Sequence, residues 1–377
     1  MKAAFYEQTG PAEQVLVVGD LPDPQPATGE VRVRLQWSGL NPSDVKARSG
    51  ARGPVMPFPR VIPHSDGMGI IDAVGAGVDP ARNGERVWLW NAAWSRPFGT
   101  AAEWVCLPEQ QAVPLPGNVP GEVGACLGIP ALTALHAVLT DGGVEGQRVL
   151  VAGGAGAVGH YAVQFARLLG ARQILTTVSS TEKAALALAA GADVAINYRT
   201  ENVVDRVLEE TQDEGVDRVI EMDIAANAAI DMEVVRPNGQ WVVYGSGARQ
   251  FTLPFFPMIS RNFGVRFFIV YHLSDSDRRH AEGVLNDFLR RDALHHKRLV
   301  LLVAPLLIWG LVLLVSDTPN EAQRASLVEC ATPTFMTSLL LAERFKIDAA
   351  ASALLIGWST LLFWLSLPLL MGLGLFG

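Results

Sequence analysis

The stretch Arg148-Val149-Leu150-Val151-Ala152-Gly153-Gly154-Ala155-Gly156-Ala157-Val158-Gly159-His160 decides how the first three quarters of this 377-residue chain are read. Its opening apolar run has the composition of a parallel strand buried on both faces. The run breaks into glycines and resumes as Tyr161-Ala162-Val163-Gln164-Phe165-Ala166-Arg167-Leu168-Leu169, a helical pattern that Gly170 stops. Gly154, Gly156 and Gly159 fit G-x-G-x-x-G in the strand-to-helix setting that gives the pattern physical meaning. The first glycine is expected to make the tight turn, the second to let the backbone approach a diphosphate, and the third to let helix and strand pack closely. Ala155, Ala157 and Val158 complete the expected contact loop. A glycine-rich connection without a ligand is the plainer alternative, and the flanking strand and helix favour dinucleotide binding.

Outward from this loop, strands are expected at 174–178, 194–197, 216–221 and 240–244, with helices at 181–190 and near 201–211. The alternation predicts a doubly wound parallel sheet over residues 123–297. Residues 1–122 are rich in Gly and Pro and carry short alternating runs, such as Val31-Arg32-Val33-Arg34-Leu35-Gln36-Trp37. Further strands are expected at Val61-Ile62, 68–71, 86–90 and 103–107, giving a small twisted β domain. The net charge of −8 gives no reason to expect nucleic acid. Cys106, Cys126 and Cys330 are too scattered for a disulfide framework or a metal cluster.

The mean hydropathy of +0.24 is high for an α/β protein, and its source lies after Lys297. Residues 299–315 hold no charge; at 1.5 Å per residue they reach about 26 Å, barely enough to cross hydrocarbon. Residues 349–377 are also uncharged, and between the two runs residues 325–342 are apolar but broken by Glu329 and Pro333. Residues 298–377 therefore read as an all-α transmembrane tail, and the locality as the membrane. Arg290, Arg291, Lys297 and Arg298 precede the first run, which puts the preceding domains on the cytoplasmic side.

A charge argument addresses the cofactor's ribose. Sites that prefer NAD place a carboxylate about 20 residues after the glycines, at the end of the second strand. Here the chain reads Val178-Ser179-Ser180-Thr181-Glu182-Lys183, and Ser179, Ser180 and Lys183 suit a 2′-phosphate instead. NADPH is favoured, although both serines also make ordinary helix caps and Lys183 an ordinary solvated residue. Ser246 and Gly247, just past a strand end, sit where the cofactor should pass.

Asn41-Pro42-Ser43-Asp44, Ile62-Pro63-His64-Ser65-Asp66-Gly67-Met68-Gly69, Leu132-Thr133-Ala134, the glycine loop and Ile196-Asn197-Tyr198-Arg199 together carry a resemblance. With these, residues 1 to about 296 resemble the zinc-free, zeta-crystallin-like quinone reductases of the medium-chain dehydrogenase/reductase family. The resemblance implies a GroES-like domain followed by a Rossmann domain, and NADPH-dependent hydride transfer to a quinone or activated enone. It also implies 2′-phosphate contacts from Ser180, Lys183 and Tyr198, and a homodimer through the reductase part. Zinc-dependent relatives have a catalytic Cys in the loop where this chain reads Ser38-Gly39-Leu40-Asn41, and a Gly-His-Glu segment that falls on His64-Ser65-Asp66. Ser65 thus stands at the ligand histidine and His64 one position off, so a tetrahedral N/S metal site lacks ligands. Asn41 is the candidate acceptor-orienting amide, with Thr133 near the nicotinamide and Asp44 shaping the acceptor site. Asn41 serves equally as a helix N-cap followed by Pro, and Asp44 and Asp66 as capping or solvated carboxylates.

The tail resembles the C-terminal helices of auxin-efflux-carrier-type transporters through Ala331-Thr332-Pro333-Thr334-Phe335-Met336-Thr337. It also displaces the segment that, in such reductases, returns to the first domain and adds a last strand; that segment is expected to be missing. Besides a membrane-tethered reductase, two readings stay open. One is a transporter fragment carrying a non-catalytic nucleotide-binding domain, and the other is a fused reading frame.

Overall fold

In the computed structural model the described residues are 1–51, 53, 55–296 and the backbone of Leu302–Val303. Apart from Leu302–Val303, the long charge-free runs of the tail lie outside them, and among the described residues no helix is long and apolar enough to cross a membrane.

The N-terminal part is a β structure. β1 (Lys2–Phe5) pairs antiparallel with β2 (Val17–Asp20), the short α1 (Ala12–Val15) lying between them in sequence. β3 (Glu30–Gly39) is the central strand of the larger sheet, and the heptamer α2 (Pro42–Arg48) follows it. β4 (Asp66–Val74), β5 (Arg86–Leu89), β6 (Trp104–Pro108) and β7 (Ala112–Pro114) complete an antiparallel sheet in the order β3-β4-β5-β7, with β6 on the other side of β3. The period-2 pattern has its expected effect. Val31, Val33 and Leu35 point into one core with Ile71, Val87, Leu89, Val105 and Leu107, and each such burial stabilises by about 1.5–3 kcal/mol. Val61 and Ile62, expected as a strand, make only isolated bridges to Tyr6 and Phe98. Pro63 has no N–H to continue a ladder, and His64 turns the backbone left-handed at φ 76°.

α3 (Gly121–Gly124) and α4 (Leu132–Leu139) lead into the second sheet. Its elements run β8 (Arg148–Val151), α5 (Ala157–Leu168), β9 (Gln173–Val178), α6 (Thr181–Ala189), β10 (Val194–Asn197), α7 (Val203–Thr211) and β11 (Val216–Glu221). α8 (Ile224–Val234), β12 (Val235–Val243), α9 (Phe255–Ser260), β13 (Gly264–Phe267) and α10 (Asp275–Arg290) follow. The six strands are parallel in the order β10-β9-β8-β11-β12-β13. The direction of winding reverses between β8 and β11, and open α/β sheets bind ligands at the strands' carboxyl ends at that point. β12 begins five residues earlier than its apolar run predicts. Its register with β11 jumps from Val216↔Val235 to Arg218↔Gln240, because Asn238 takes a left-handed φ of 63°.

The two sheets share one apolar core that runs from Met68 and Trp88 through Leu127 and Leu135 to Val163 and Phe288. One expectation needs correction here. The chain does return to the first sheet, since β14 (Leu302–Val303) pairs antiparallel with Ser38–Gly39 of β3, beyond the stretch that β6 covers. The approach is pinned by α5. The Gln164 side chain accepts from His295 N at 2.7 Å and donates to His295 O at 3.1 Å, and Tyr161 Oη lies 3.0 Å from His296 Nδ1. One amide thereby serves as a strand-like partner for the departing backbone, a long-range contact that hydrophobic periodicity does not encode.

Candidate functional site

The glycine turn joins β8 to α5 at the switch point, and each glycine there has a distinct steric reason. Gly153, rather than Gly154, takes the left-handed turn, at φ 69°. Gly154 is instead pressed on β9: a Cβ there would lie 2.1 Å from Thr176 Oγ1, which accepts from Gly154 N at 2.9 Å. A Cβ on Gly159 would lie 2.2 Å from the Gly153 carbonyl oxygen, so the helix can pack on the turn only without a side chain. Gly156 caps α5, and the nearest atom to its virtual Cβ is 3.2 Å away, which leaves a bare backbone where an anion can approach. Ala155 packs inward against Val178 and Ala187, so only its backbone faces the cleft; Ala157 and Val158 are half-buried in the first turn of α5.

At the ends of β9 and β10 the two readings of the serines hold together. Ser180 caps α6 by accepting from Lys183 N at 3.3 Å. Lys183 does not extend into solvent; its Nζ donates to Ser179 Oγ at 2.8 Å. Tyr198 follows β10, its N–H donating to Val178 O at 3.1 Å, and its side chain is 53% exposed. Four expected residues thus gather at adjacent strand ends, with no carboxylate at the end of β9 itself. Glu182, in the first turn of α6, has its carboxyl held below the usual range by the Ser180 hydroxyl.

Ser246 and Gly247 lie in the loop after β12. Gly247 N donates to Asp223 Oδ1 at 2.6 Å, and Ser246 Oγ turns back on Ala248 O at 2.7 Å. Met222 and Asp223, which follow β11 at the switch point, were not singled out by sequence; their place directly after a central strand was the available signal. They rest on a buried carboxyl pair. Burial and then the neighbouring Glu221 push the Asp231 carboxyl up to about 9, and burial raises Glu221 as well. Glu221 Oε1 accepts from Asp223 N and from Asn227 Nδ2.

The expected catalytic residues Asn41, Asp44 and Thr133 are all buried. Asn41 is 3% exposed and its Nδ2 donates to Asp66 Oδ2 at 2.9 Å. Asp66 is fully buried, also accepts from Ile129 N at 2.9 Å, and burial pushes its carboxyl well above the usual range. Asp44 caps α2, its Oδ2 accepting from Asn41 N at 2.8 Å, and Thr133 is buried in the first turn of α4. His64 Nδ1 lies 2.8 Å from Ser38 Oγ, and burial lowers its imidazole to about 4. Among the described residues no three His, Cys, Asp or Glu side chains are grouped to hold a metal ion. The two segments that fall where the zinc-dependent relatives carry ligands, 38–41 and 64–66, are instead joined by the Ser38–His64 and Asn41–Asp66 hydrogen bonds.

Comparison with known proteins settles the lineage. Residues 27–117 match the alcohol dehydrogenase GroES-like domain, and residues 157–286 match the zinc-binding dehydrogenase family. Rat quinone oxidoreductase is 33% identical over 248 residues, spanning 65% of this chain and 73% of the rat protein. The chain belongs to the medium-chain dehydrogenase/reductase family. Among solved structures it is similar to an NAD-dependent alcohol dehydrogenase (TM-score 0.70, 30% identity, 78% of this chain and 90% of that one). It is also similar to a mycobacterial protein complexed with NADPH (TM-score 0.69, 27% identity, 79% and 90%). It is a quinone-oxidoreductase-like medium-chain reductase.

In this reductase a cavity of about 320 Å³ opens beside the buried Asn41–Asp66 pair. Its wall includes Ser43, Asp44 and Ser65 from the first part of the chain and Tyr271 from beyond β13, with Phe58 and Trp94 supplying apolar surface. Trp94 and Tyr271 stack with ring centroids 4.1 Å apart and planes 11° apart. The loop after β12 reaches the same rim, where Arg249 Nη2 donates to Ala51 O at 2.6 Å. The cavity's size and its partly apolar wall suit a small planar ligand.

Proposed function

We propose that this reductase uses NADPH to reduce a quinone or an activated enone. The observation that carries the cofactor choice is the cluster Ser179, Ser180, Lys183 and Tyr198, with no carboxylate at the end of β9. NADPH bound along the glycine turn supplies a hydride to the acceptor. The protein's own part is to hold the diphosphate on the bare backbone at Gly156, neutralise the 2′-phosphate with Lys183, and keep the acceptor in a mostly apolar cavity. Quinones and enones suit that division of labour, because charge arriving on the acceptor delocalises onto oxygen and its proton comes from solvent. The similarity to rat quinone oxidoreductase supports the acceptor class.

Fluorescence titration of the full chain with NADPH and NADH tests the reading. A lost charge-assisted contact costs about 1.5–3 kcal/mol, so Lys183→Ala should weaken NADPH about 10- to 100-fold and leave NADH unchanged. Equal affinity for the two cofactors in the wild-type protein would refute the 2′-phosphate assignment. NADPH binding without turnover of any quinone or enone would favour a nucleotide-binding domain that senses rather than catalyses.

The finer points of assembly and location belong to the same proposal. Homodimerisation is supported by the edge position of β13 and by the exposed Phe255, Phe256, Ile259 and Phe267 near it. A membrane anchor formed by the tail, with the reductase part on the cytoplasmic side, is supported by the charge-free run 349–377 and by the basic Arg290, Arg291, Lys297 and Arg298 before the tail, whereas Leu302–Val303 of the first run pair with β3. Flotation of the full chain with liposomes, lost when residues 298–377 are protease-clipped, is the expected result; full-length protein remaining at the bottom of the gradient would sink the anchor.

A further inference from the structure

Resting on that reading, the acceptor end of the cleft raises a question the buried residues leave open. Asn41 directs its amide inward to Asp66. The residue two positions on, Ser43, is half-buried and lines the 320 Å³ cavity. Tyr271 Oη donates to Ser43 Oγ at 2.9 Å. A serine hydroxyl that accepts still has its own proton to give, and among the described residues Ser43 has no second hydrogen-bond partner. Tyr271 is held firmly in this arrangement. Its ring stacks on Trp94, its carbonyl accepts from Asn91 Nδ2 at 3.2 Å, and it is buried. With the phenol proton committed to Ser43, the serine proton is turned away from Tyr271, and the cavity is the polar-ligand space left to it.

We propose that Ser43 donates the hydrogen bond that orients the acceptor carbonyl and stabilises the charge growing on its oxygen. Hydride carries two electrons and a proton to the acceptor; the carbonyl π pair moves onto oxygen, Ser43 O–H bonds to that oxygen without losing its proton, and water later supplies the second proton. Three other polar groups in the wall, Arg96, Asp44 and Ser65, suit the task less. Arg96 gives its guanidinium to Gln111 Oε1 and the Cys106 carbonyl. Asp44 is a carboxylate and would repel the developing anion. Among the described residues Ser65 has no side-chain hydrogen bond to fix its hydroxyl, whereas a donor already aimed before the reaction gives the larger stabilisation. Ser43 comes from α2 and Tyr271 from 228 positions further along, so the donor exists only where the two parts of the chain meet. The Trp94–Tyr271 stack at its side favours planar acceptors.

The test uses the full-length protein and 9,10-phenanthrenequinone, with two readouts. By infrared difference spectroscopy without cofactor, the carbonyl band of bound quinone should lie at lower frequency in wild type than in Ser43→Ala. In turnover with NADPH, Ser43→Ala should lower kcat by about 10²-fold, the scale of one lost oxyanion donor, while NADPH affinity by fluorescence stays at the wild-type value. Ser43→Thr should recover most of the loss, and Tyr271→Phe should show a smaller loss and a partial band shift. Wild-type kcat and an unshifted band in Ser43→Ala would overturn the assignment, as would finding the loss in Ser65→Ala instead. If wild type reduces no acceptor, the hydride reading itself fails, and the infrared arm alone decides whether Ser43 grips a carbonyl.

Discussion

The two ends of the cleft are built on different principles. The diphosphate end of the cleft is made of backbone, three glycines and one helix N-terminus, with the serine-and-lysine cluster one strand away. The acceptor end is made of side chains brought from distant segments, where Ser43, Trp94 and Tyr271 meet across the core shared by the two sheets. A backbone site tolerates almost no added atoms, while a side-chain site tolerates conservative exchange as long as the donated proton survives.

The largest effect should therefore follow the addition of a side chain at the cofactor end. Gly159→Val places its Cβ 2.2 Å from the Gly153 carbonyl, a contact no rotamer relieves. NADPH binding should vanish and the melting temperature should fall; retained micromolar fluorescence quenching would break the comparison. By contrast, Ser43→Thr at the acceptor end adds a methyl group and should keep most of the turnover.

A middle-sized effect concerns the seat beneath the loop after β11. Asp231, raised to about 9 in the fold against about 4 when unfolded, binds a proton in the native state over that whole interval. The unfolded chain has released it, so this carboxyl's contribution to stability falls as pH rises from about 4 to about 9. Glu221 and, through it, Asp223 and Tyr244 are the ionisable groups facing the pair. Asp231→Asn should flatten the fall in melting temperature between pH 6 and 9 and leave the protein more stable at pH 9. A slope steeper than wild type would contradict the shared-proton arrangement. The smallest effect is expected at Glu182, a fully exposed carboxylate beside the 2′-phosphate cluster. Glu182→Gln should tighten NADPH about two- to fivefold, the scale of one exposed charge interaction, with no change for NADH.

The contrast also explains which features could be read before any coordinates. β10 and β11 fall on 194–197 and 216–221 as their apolar runs predict, and β11, buried on both faces, advertises itself locally. Ser180 and Lys183 lie in one helical turn, so their joint position follows from spacing alone. Gly153 escaped notice as the turning residue, since the motif specifies which positions must lack a Cβ and not which one takes positive φ. The failed strand at Val61-Ile62 shows the opposite error, where local β character lost to a neighbouring Pro and a left-handed His64. The return of Leu302–Val303 to β3 was missed because an apolar segment gives no sign of which edge it will meet.

By itself the sequence determined the parallel sheet, the glycine turn at its switch point and the hydroxyl-and-lysine cluster one strand over, since each depends on residues close together in the chain. Only the tertiary structure decided that Asn41 turns inward to Asp66 and that Ser43 meets Tyr271 at the cavity wall. Those contacts are selected by the packing of two sheets around one core, and the direction of a side chain in such a core depends on neighbours that no local pattern names.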